Sequence, residues 1–335
     1  MFITLCLFAG SAGAIYFACE YFVNGVEWFG QKLKLGATAT GTVLAAFGTA
    51  LPESAVTFVA VMFGKTAEAR DIGVGAAMGG PLVLATIAYS VVGVALWCNR
   101  HRLRRKDRFI RVDHRRLARD QLWFLAIFVV KVGLGLVVFA FKPLLGIAFL
   151  IAYGLYVWRE IRSDDAAPAE EILEPLKLRP REGEPGMRWV VVQTTAALLV
   201  IAAASRVFVS QLEVIGVMLS LPPHLVALVL SPVATELPET VNALIWVRQG
   251  KERLALANIS GSMMIQATIP SSMAIFATPW LFDTPLIVAG VLTALAIIYL
   301  WWLFRRGRVD ARWLLPVALL YGVFSAFSAW HLAGQ

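Results

Sequence analysis

Apolar residues occur along the chain in ten long stretches, separated by short polar segments. The stretches run roughly over 1–23, 38–63, 71–97, 122–141, 143–158, 189–210, 224–247, 255–277, 285–304 and 312–332. Most of them approach the 20 or so residues that a helix needs to cross a hydrocarbon layer about 30 Å thick. The pattern therefore predicts an all-α polytopic membrane protein with ten transmembrane helices.

The composition agrees with a membrane location, because 59% of the residues are hydrophobic and only 16% are charged. A soluble core built from 335 residues could not bury that much apolar surface. The first stretch could also be interpreted as a signal peptide. It lacks a basic leader, however, and Glu20 and Asn24 stand where a small-residue cleavage site would be expected. We therefore interpret it as the first helix.

Basic residues are concentrated in every second loop. With the N-terminus outside, 25 of the 30 Lys and Arg residues lie in inside-facing loops, as the positive-inside rule requires. We therefore expect both termini outside and segments 99–120 and 159–188 inside, in a plasma membrane such as the bacterial inner membrane. The basic run Arg100–Arg119 then faces anionic lipid, so no nucleic acid is expected as a partner. The oligomeric state is left open.

The two halves of the chain are copies of each other at an offset of 186 residues. The offset superimposes Thr49/Thr235, Leu51/Leu237, Pro52/Pro238, Glu53/Glu239, Gly64/Gly250, Lys65/Lys251, Gly75/Gly261 and Met78/Met264. We expect one copy over 1–158 and the other over 189–335, joined by a charged, proline-containing cytoplasmic linker over 159–188. Because each copy has five helices, an odd number, the second copy must lie inverted in the membrane. Inverted repeats are typical of secondary transporters.

Each copy carries a proline in the middle of its second helix, within the motifs GTALPES (Gly48–Ser54) and ATELPET (Ala234–Thr240). A proline inside a helix cannot donate to the carbonyl four residues before it. Pro52 and Pro238 therefore each free a carbonyl oxygen, and we predict a helix break in both copies. Such carbonyls are tolerated at membrane depth where they line a cavity or find a partner.

Beside the two freed carbonyls stand the carboxylates of Glu53 and Glu239 and the hydroxyls of Thr49 and Thr235. Carboxylate, carbonyl and hydroxyl oxygens are the ligands that a hard cation such as Ca²⁺ requires. The alternative is that the prolines only kink the helices and that the glutamates reach out to water. Intramembrane carboxylates are costly and usually functional. The symmetric pattern therefore favours a cation site between the repeats.

The two motifs resemble the repeated motif of the sodium/calcium exchanger superfamily of calcium/cation antiporters, commonly GTSLPE. The second copy continues with GKERLALANISGSMMIQ (Gly250–Gln266), which is similar to the family's GNxxGSNxFN. The resemblance implies a transporter with five plus five inverted helices that exchanges Ca²⁺ against Na⁺ or H⁺ by alternating access. It implies cations as ligands and no cofactor.

By this resemblance, Glu53 and Glu239 match the central cation ligands, and Thr49 and Thr235 match the residues that assist them. Ser262 matches the serine of the family's Gly-Ser pair.

Other positions depart from the family pattern. Gln266 stands at an acidic or amide position, whereas the first copy has no side-chain oxygen at Ala76, Ala77 and Gly80, and Ala50 replaces the usual serine. Because the family's sodium sites use such polar groups, the resemblance puts three-sodium coupling in doubt. We expect protons to serve as the coupling ion better than sodium.

Two charged residues remain ambiguous from the sequence. Glu236 lies three residues before Glu239, so on a continuous helix the two would share a face and the site would gain a third carboxylate. Alternatively, Glu236 faces a water-filled vestibule. Lys131, in the fourth span, is either an interfacial residue or a partner of another helix.

The sequence thus predicts a secondary-active cation antiporter, most directly one that exchanges Ca²⁺ for H⁺ or Na⁺. One alternative is an antiporter for another cation, such as Mn²⁺, or Na⁺ against H⁺. Another is a non-transporting, degenerate exchanger that acts as a membrane sensor or scaffold. An enzyme is not expected, because GxSxG and HExxH signatures are absent and no histidine falls in the middle of a span.

Overall fold

The computed structural model describes residues 2–36, 39–63, 67–100, 108–162, 173–218, 229 and 231–333. Within them the chain forms α1 (Phe2–Lys32), α2 (Ala46–Phe63), α3 (Ala67–Val83), α4 (Tyr89–Asn99), α5 (His114–Gly135), α6 (Leu145–Arg162), α7 (Met187–Met218), α8 (Ser231–Thr235), α9 (Leu237–Arg248), α10 (Glu252–Ala277), α11 (Thr284–Arg305) and α12 (Ala318–Ala333). Two π-helical turns, Thr40–Ala45 and Leu84–Ala88, lead into α2 and join α3 to α4. Two 3₁₀ turns, Lys142–Leu144 and Ala311–Val317, lead into α6 and α12.

These helices account for all ten predicted spans. Helices α3 and α4 together form the third span, α8 and α9 form the seventh, and the other eight spans are single helices. Among the described residues, six helical segments are long and apolar enough to cross a membrane. Large apolar side chains such as Leu150, Leu199 and Leu319 are exposed, as a lipid-facing surface requires. The prediction of an all-α membrane protein with ten helices is confirmed.

The first helices of the two repeats, α1 and α7, pack directly against each other. The rings of Phe8 and Phe208 stack with their centroids 4.4 Å apart, and a Cβ placed on Gly25 would lie 2.5 Å from Thr194 Oγ1. Because the contacting residue numbers rise along α1 and fall along α7, the two helices are antiparallel. They are equivalent under the 186-residue offset, so the two repeats are inverted relative to each other, as predicted.

The fourth span differs from its predicted bounds, because α5 begins at His114 and ends at Gly135 instead of covering 122–141. Asp113 caps the helix start by accepting hydrogen bonds from the amides of Arg115 and Arg116. The polar first turns remain helical because the buried Arg116 guanidinium donates to the Glu160 carboxylate, with Nε 3.0 Å from Oε2. Hydropathy alone could not find this start, since the partner comes from another helix.

Residues 173–186 of the predicted linker pack on α1. Asn24 Oδ1 accepts from the amide of Lys177 at 3.1 Å, and Trp28 Nε1 donates to the carbonyl of Glu174 at 2.9 Å. Gln193 at the start of α7 donates to Asn24 Oδ1 at 2.9 Å. This segment is therefore tied to the α1–α7 pair.

Helix α10 lies at the centre of the molecule, where nearly all of its residues are buried, including the polar residues Asn258, Ser262 and Gln266. It packs against α2, α3, α6 and α9. Polar side chains in this position are costly unless they bind one another or a ligand. The centre of the molecule is therefore where a site for a polar ligand is expected.

Candidate cation site

The two Leu-Pro-Glu motifs have different backbones. In the second copy α8 ends at Thr235 and α9 begins at Leu237, so the helix is interrupted at Glu236. In the first copy α2 continues from Ala46 through Pro52 to Phe63, and the irregular backbone lies earlier, in the π-helical turn Thr40–Ala45. The prediction of a helix break in both copies is therefore wrong for the first. An α-helix can lose one hydrogen bond at a proline when its neighbours hold it in place.

Glu236 points into the protein at this interruption. Its side chain is 0% exposed, and its Oε1 accepts a hydrogen bond from Gln266 Nε2 at 2.7 Å. The alternative in which Glu236 faces a water-filled vestibule does not hold. A carboxylate of the seventh span and an amide of the eighth are thus joined at the centre of the molecule.

The first copy meets this pair at Gly80. A Cβ placed on Gly80 would lie 2.5 Å from Gln266 Oε1 and 2.7 Å from Glu236 Oε1, which is closer than real Cβ contacts allow. Glycine at this position therefore leaves the space that the carboxylate and the amide occupy. The lack of a side-chain oxygen at position 80 therefore has a steric reason, which the sequence did not reveal.

Glu239 is buried in the first turn of α9. This position favours a carboxylate, because the free amides at a helix N-terminus carry partial positive charge. Cys19 of α1 lies beside the same turn, with its Sγ 3.9 Å from the carbonyl oxygen of Pro238. Glu53 belongs to α2, but its side chain lies outside the described residues.

The two motif threonines are placed alike. Thr49 is buried and its hydroxyl donates to the carbonyl of Ala45 at 3.2 Å, while the Thr235 hydroxyl donates to the carbonyl of Pro232 at 3.1 Å. A hydroxyl that donates its hydrogen to its own helix keeps lone pairs with which it can accept or bind a cation. Both threonines can therefore supply a ligand oxygen.

Several further polar atoms at the centre of the molecule have no hydrogen-bond partner among the described residues. They are Ser262 Oγ, Gln266 Oε1 and both side-chain atoms of Asn242 and Asn258. Buried polar atoms without a partner are rare in proteins and require an explanation such as a bound ion or water. Asn242 was not predicted, although its spacing three residues after Glu239 places it on the same helix face.

The repeats approach each other closely through glycines. A Cβ on Gly41 would lie 2.7 Å from Ala257 Cβ, and a Cβ on Gly261 would overlap the carbonyl oxygen of Thr42. The irregular turn of the first copy therefore rests directly on the backbone of α10.

Within the described residues, no three carboxylate, histidine or cysteine side chains lie close enough together to hold a metal ion between them.

Lys131 is a helix partner, not an interfacial residue. Its side chain is 0% exposed, and its Nζ donates to the carbonyl oxygen of Ala77 in α3 at 2.7 Å. The ambiguity that the sequence left open is thereby resolved.

An inverted pair of five-helix repeats, with carboxylates and unpaired polar atoms buried where the repeats meet, defines a membrane transporter of the cation antiporter class. The sequence matches the family model of the sodium/calcium exchanger protein over residues 3–162 and 189–330, and the chain belongs to this family. None of the curated protein sequences matches the chain significantly.

Solved structures of the sodium-calcium exchanger NCX_Mj have the same fold. The form soaked with 2.5 mM Na⁺ and 0.1 mM Ca²⁺ matches with a TM-score of 0.75 and 18% identity, over 97% of this chain and 98% of that one. The form soaked with 2.5 mM Na⁺ and 10 mM Sr²⁺ gives 0.76 and 17%, with the same coverage. The form soaked with zero Na⁺ and Ca²⁺ gives 0.72 and 17%, over 96% and 97%.

Proposed function

We propose that the chain exchanges Ca²⁺ for H⁺ or Na⁺ across a plasma membrane, with both termini outside. Glu53 and Glu239 are the central ligands in this proposal, and the further oxygens come from Glu236, Thr49, Thr235, Ser262 and Gln266. The observation that carries it is the buried contact of Glu236 and Gln266 against Gly80, which joins the two repeats at one point. Alternating access requires such a site, because either repeat can move against the other around it.

The oxygen atoms in this region suit a divalent cation. Ca²⁺ takes six to eight oxygen ligands in flexible geometry, from carboxylates, carbonyls, amides and water. The interruption at Glu236 and the unpaired oxygens of Ser262 and Gln266 supply these types. Two carboxylates balance the charge of one Ca²⁺, and a third would balance an additional proton or monovalent ion.

Protons are the preferred counter-ion in this proposal. A dehydrated Na⁺ needs neutral oxygen ligands, and Ala50, Ala76, Ala77 and Gly80 offer none from their side chains. Glu236 adds a carboxylate that a proton and Ca²⁺ can compete for. Exchange then follows from competition for the same oxygens.

The test is ⁴⁵Ca²⁺ uptake into proteoliposomes, driven by a pH gradient without sodium or by a sodium gradient at fixed pH. We expect uptake with the pH gradient, and loss of uptake in Glu239→Gln while the protein stays folded. Glu20→Gln is the matched control, because the Glu20 side chain is 33% exposed and pairs with Lys177 at 3.6 Å, a partly exposed pair of small energetic value. Normal flux in Glu239→Gln would refute the proposal.

The same assay separates the alternatives. Uptake of Mn²⁺ or Na⁺ without Ca²⁺ uptake would indicate another cargo. Binding of Ca²⁺ without any flux would indicate a sensor or scaffold.

A further inference from the structure

The Gly-Lys pair that follows each Leu-Pro-Glu motif has no part in the proposed cation site. In the second copy, Gly250 has a φ of 80° and ends α9, because glycine adopts this left-handed conformation without strain. Its amide donates to the carbonyl of Val247 at 3.0 Å, and the amide of Lys251 donates to the carbonyl of Trp246 at 2.8 Å. The turn therefore places Lys251 beside Trp246 at the end of α9.

Both side chains contact one carboxylate of α1, that of Glu27. Lys251 Nζ lies 2.5 Å from Glu27 Oε2, and Trp246 Nε1 donates to Glu27 Oε1 at 2.9 Å. The Glu27 side chain is 5% exposed and the Lys251 side chain 19%, while Trp246 is fully buried. The two charged residue types recur at the 186-residue offset, as Glu213 and Lys65. Because Glu27 belongs to the first repeat and its partners to the second, this contact, which we call the Glu27 clasp, joins the repeats.

The Glu27 clasp closes one end of a contact that begins at the candidate cation site. Cys19 of α1 lies beside the carbonyl of Pro238, in the turn that carries Glu239. Eight residues further along each helix, Glu27 meets Trp246. Helices α1 and α9 therefore run side by side in the same direction for about 12 Å, at 1.5 Å per residue. In the proposed orientation the clasp is at the inside end of this contact.

A polar residue lies between the two ends of this contact. Asn242 is four residues from both Pro238 and Trp246, so the three share one stripe of α9. It is fully buried, and neither atom of its side-chain amide has a hydrogen-bond partner among the described residues. Unpaired buried polar atoms require an explanation, and water that enters from time to time is one. The amide therefore indicates a contact that opens.

The ion pair of the clasp is suited to opening and closing. Two charges that are taken out of water lose hydration, and this cost offsets much of the attraction between them. When the helices separate, both charges regain their hydration. The pair can therefore break and form again without a large change in free energy.

We propose that the Glu27 clasp is a gate, closed in this structure, which opens when the cation site communicates with the inside. Alternating access requires the repeats to separate on one side of the site at a time, and the clasp joins them at one end of the α1–α9 contact. Glu27 and Lys251 control access to the site and do not bind the cation. The inference rests on the proposed function in taking the region of Glu239 as the cation site.

Cys19 can report the opening of the gate, because it lies at the site end of the same contact and is 0% exposed. The test uses the full-length protein with Cys6→Ser and Cys98→Ser, which remove the two exposed thiols. A charged, membrane-impermeant methanethiosulfonate is added to inside-out or right-side-out membrane vesicles. Mass spectrometry then measures the rate at which Cys19 is modified.

Opening the gate should make Cys19 react from the inside. We expect Glu27→Gln and Lys251→Met each to raise the rate in inside-out vesicles by about tenfold, because either change removes the charge pair that favours the closed state. The rate in right-side-out vesicles should not rise. Lys251→Arg keeps the charge and should react as the wild type does. Lys177→Met is the matched control, since Lys177 also pairs with a glutamate of α1 but comes from the linker.

The side from which Cys19 reacts distinguishes a gate from a structural ion pair. A rise in both kinds of vesicle, or in right-side-out vesicles alone, would overturn the inference, as would unchanged rates in folded Glu27→Gln and Lys251→Met proteins. If Lys251→Met does not fold, Lys251→Gln gives the same test. Uptake of ⁴⁵Ca²⁺ by the wild type tests the proposed function separately, because its absence would refute that proposal and leave the labelling comparison intact.

Discussion

Helices α3 and α10 occupy equivalent places in the two repeats, but their side chains differ in polarity at the positions that face the candidate site. Gly75–Ala77 and Gly80 of α3 carry no side-chain oxygen, while the equivalent positions of α10 are Gly261–Met263, with Ser262 at its centre, and Gln266. In this helix pair, α10 brings polar side chains to the candidate site, and α3 leaves space for them at Gly80. A symmetric backbone therefore does not imply a symmetric site.

The same division holds in the second helices of the repeats. Ala50 of α2 is buried among Ala46 and Ile265, whereas its equivalent, Glu236, interrupts the seventh span and binds Gln266. One copy keeps a continuous helix with an apolar contact, and the other interrupts its helix at a buried carboxylate. Substitutions at equivalent positions should therefore have unequal effects.

The largest contrast is expected at the equivalent glycines Gly75 and Gly261. Gly261→Ala would place a Cβ against the carbonyl oxygen of Thr42 and 2.7 Å from Ala46 Cβ, where rigid backbone prevents a small adjustment. We expect it to destabilise the protein by about 1–3 kcal/mol, the usual cost of overpacking. Gly75→Ala is the matched control, since a Cβ there meets no atom of the described residues within 4 Å. Thermal unfolding in detergent measures both, and equal midpoints would contradict the asymmetry.

A second contrast concerns the pH dependence of Ca²⁺ binding. In the wild type we expect affinity to fall as pH falls, because protons compete for the carboxylates, by up to about tenfold per pH unit for one proton. Glu236→Ser removes one of the competing carboxylates and restores the residue type of the family motif. We expect this substitution to reduce the pH dependence of the Ca²⁺ affinity more than it reduces the affinity itself. Isothermal titration with Ca²⁺ at several pH values measures this, and unchanged slopes in the two proteins would exclude a role for Glu236.

A smaller effect is expected from filling the space that Gly80 leaves for Glu236 and Gln266. Gly80→Ala would push apart Glu236 and Gln266, both of which are flexible side chains that can move. Losing their hydrogen bond should cost about 1 kcal/mol, or about fivefold in Ca²⁺ affinity. Gly75→Ala, in the same helix, should leave the affinity unchanged. If both variants bind Ca²⁺ as the wild type does, Gly80 does not shape the site.

The apolar pattern predicted the ten spans because a membrane span depends only on local composition. The 186-residue offset predicted the inverted repeats because a repeat depends only on like residues at a fixed spacing. The start of α5 was not predictable, since Arg116 is stabilised by Glu160 from another helix. The contact of Glu236 with Gln266 was likewise hidden, because no sequence pattern fixes how two helices face each other.

Other features of the structure do have a signal in the sequence. Pro81 frees the carbonyl of Ala77 by the same rule that applies to Pro52 and Pro238, and Lys131 is a charge in an apolar span that needs such a partner. Taken together, these two observations would have suggested that the third and fourth spans meet. The position of the Glu53 side chain stays a prediction.

The antiparallel contact of α1 with α7 also bears on the origin of the chain. It joins a helix to its own structural image, with the equivalent residues Ile15 and Ile201 both buried, which is the geometry of the contact between two identical subunits about a twofold axis. An ancestral five-helix protein could have formed this contact with a second copy inserted in the opposite orientation. Gene duplication and fusion would then have preserved the old subunit interface as an internal one. After fusion the two copies no longer had to share one sequence, so the second could acquire Glu236, where the first has Ala50, and the first could acquire Lys131, where the second has Val317.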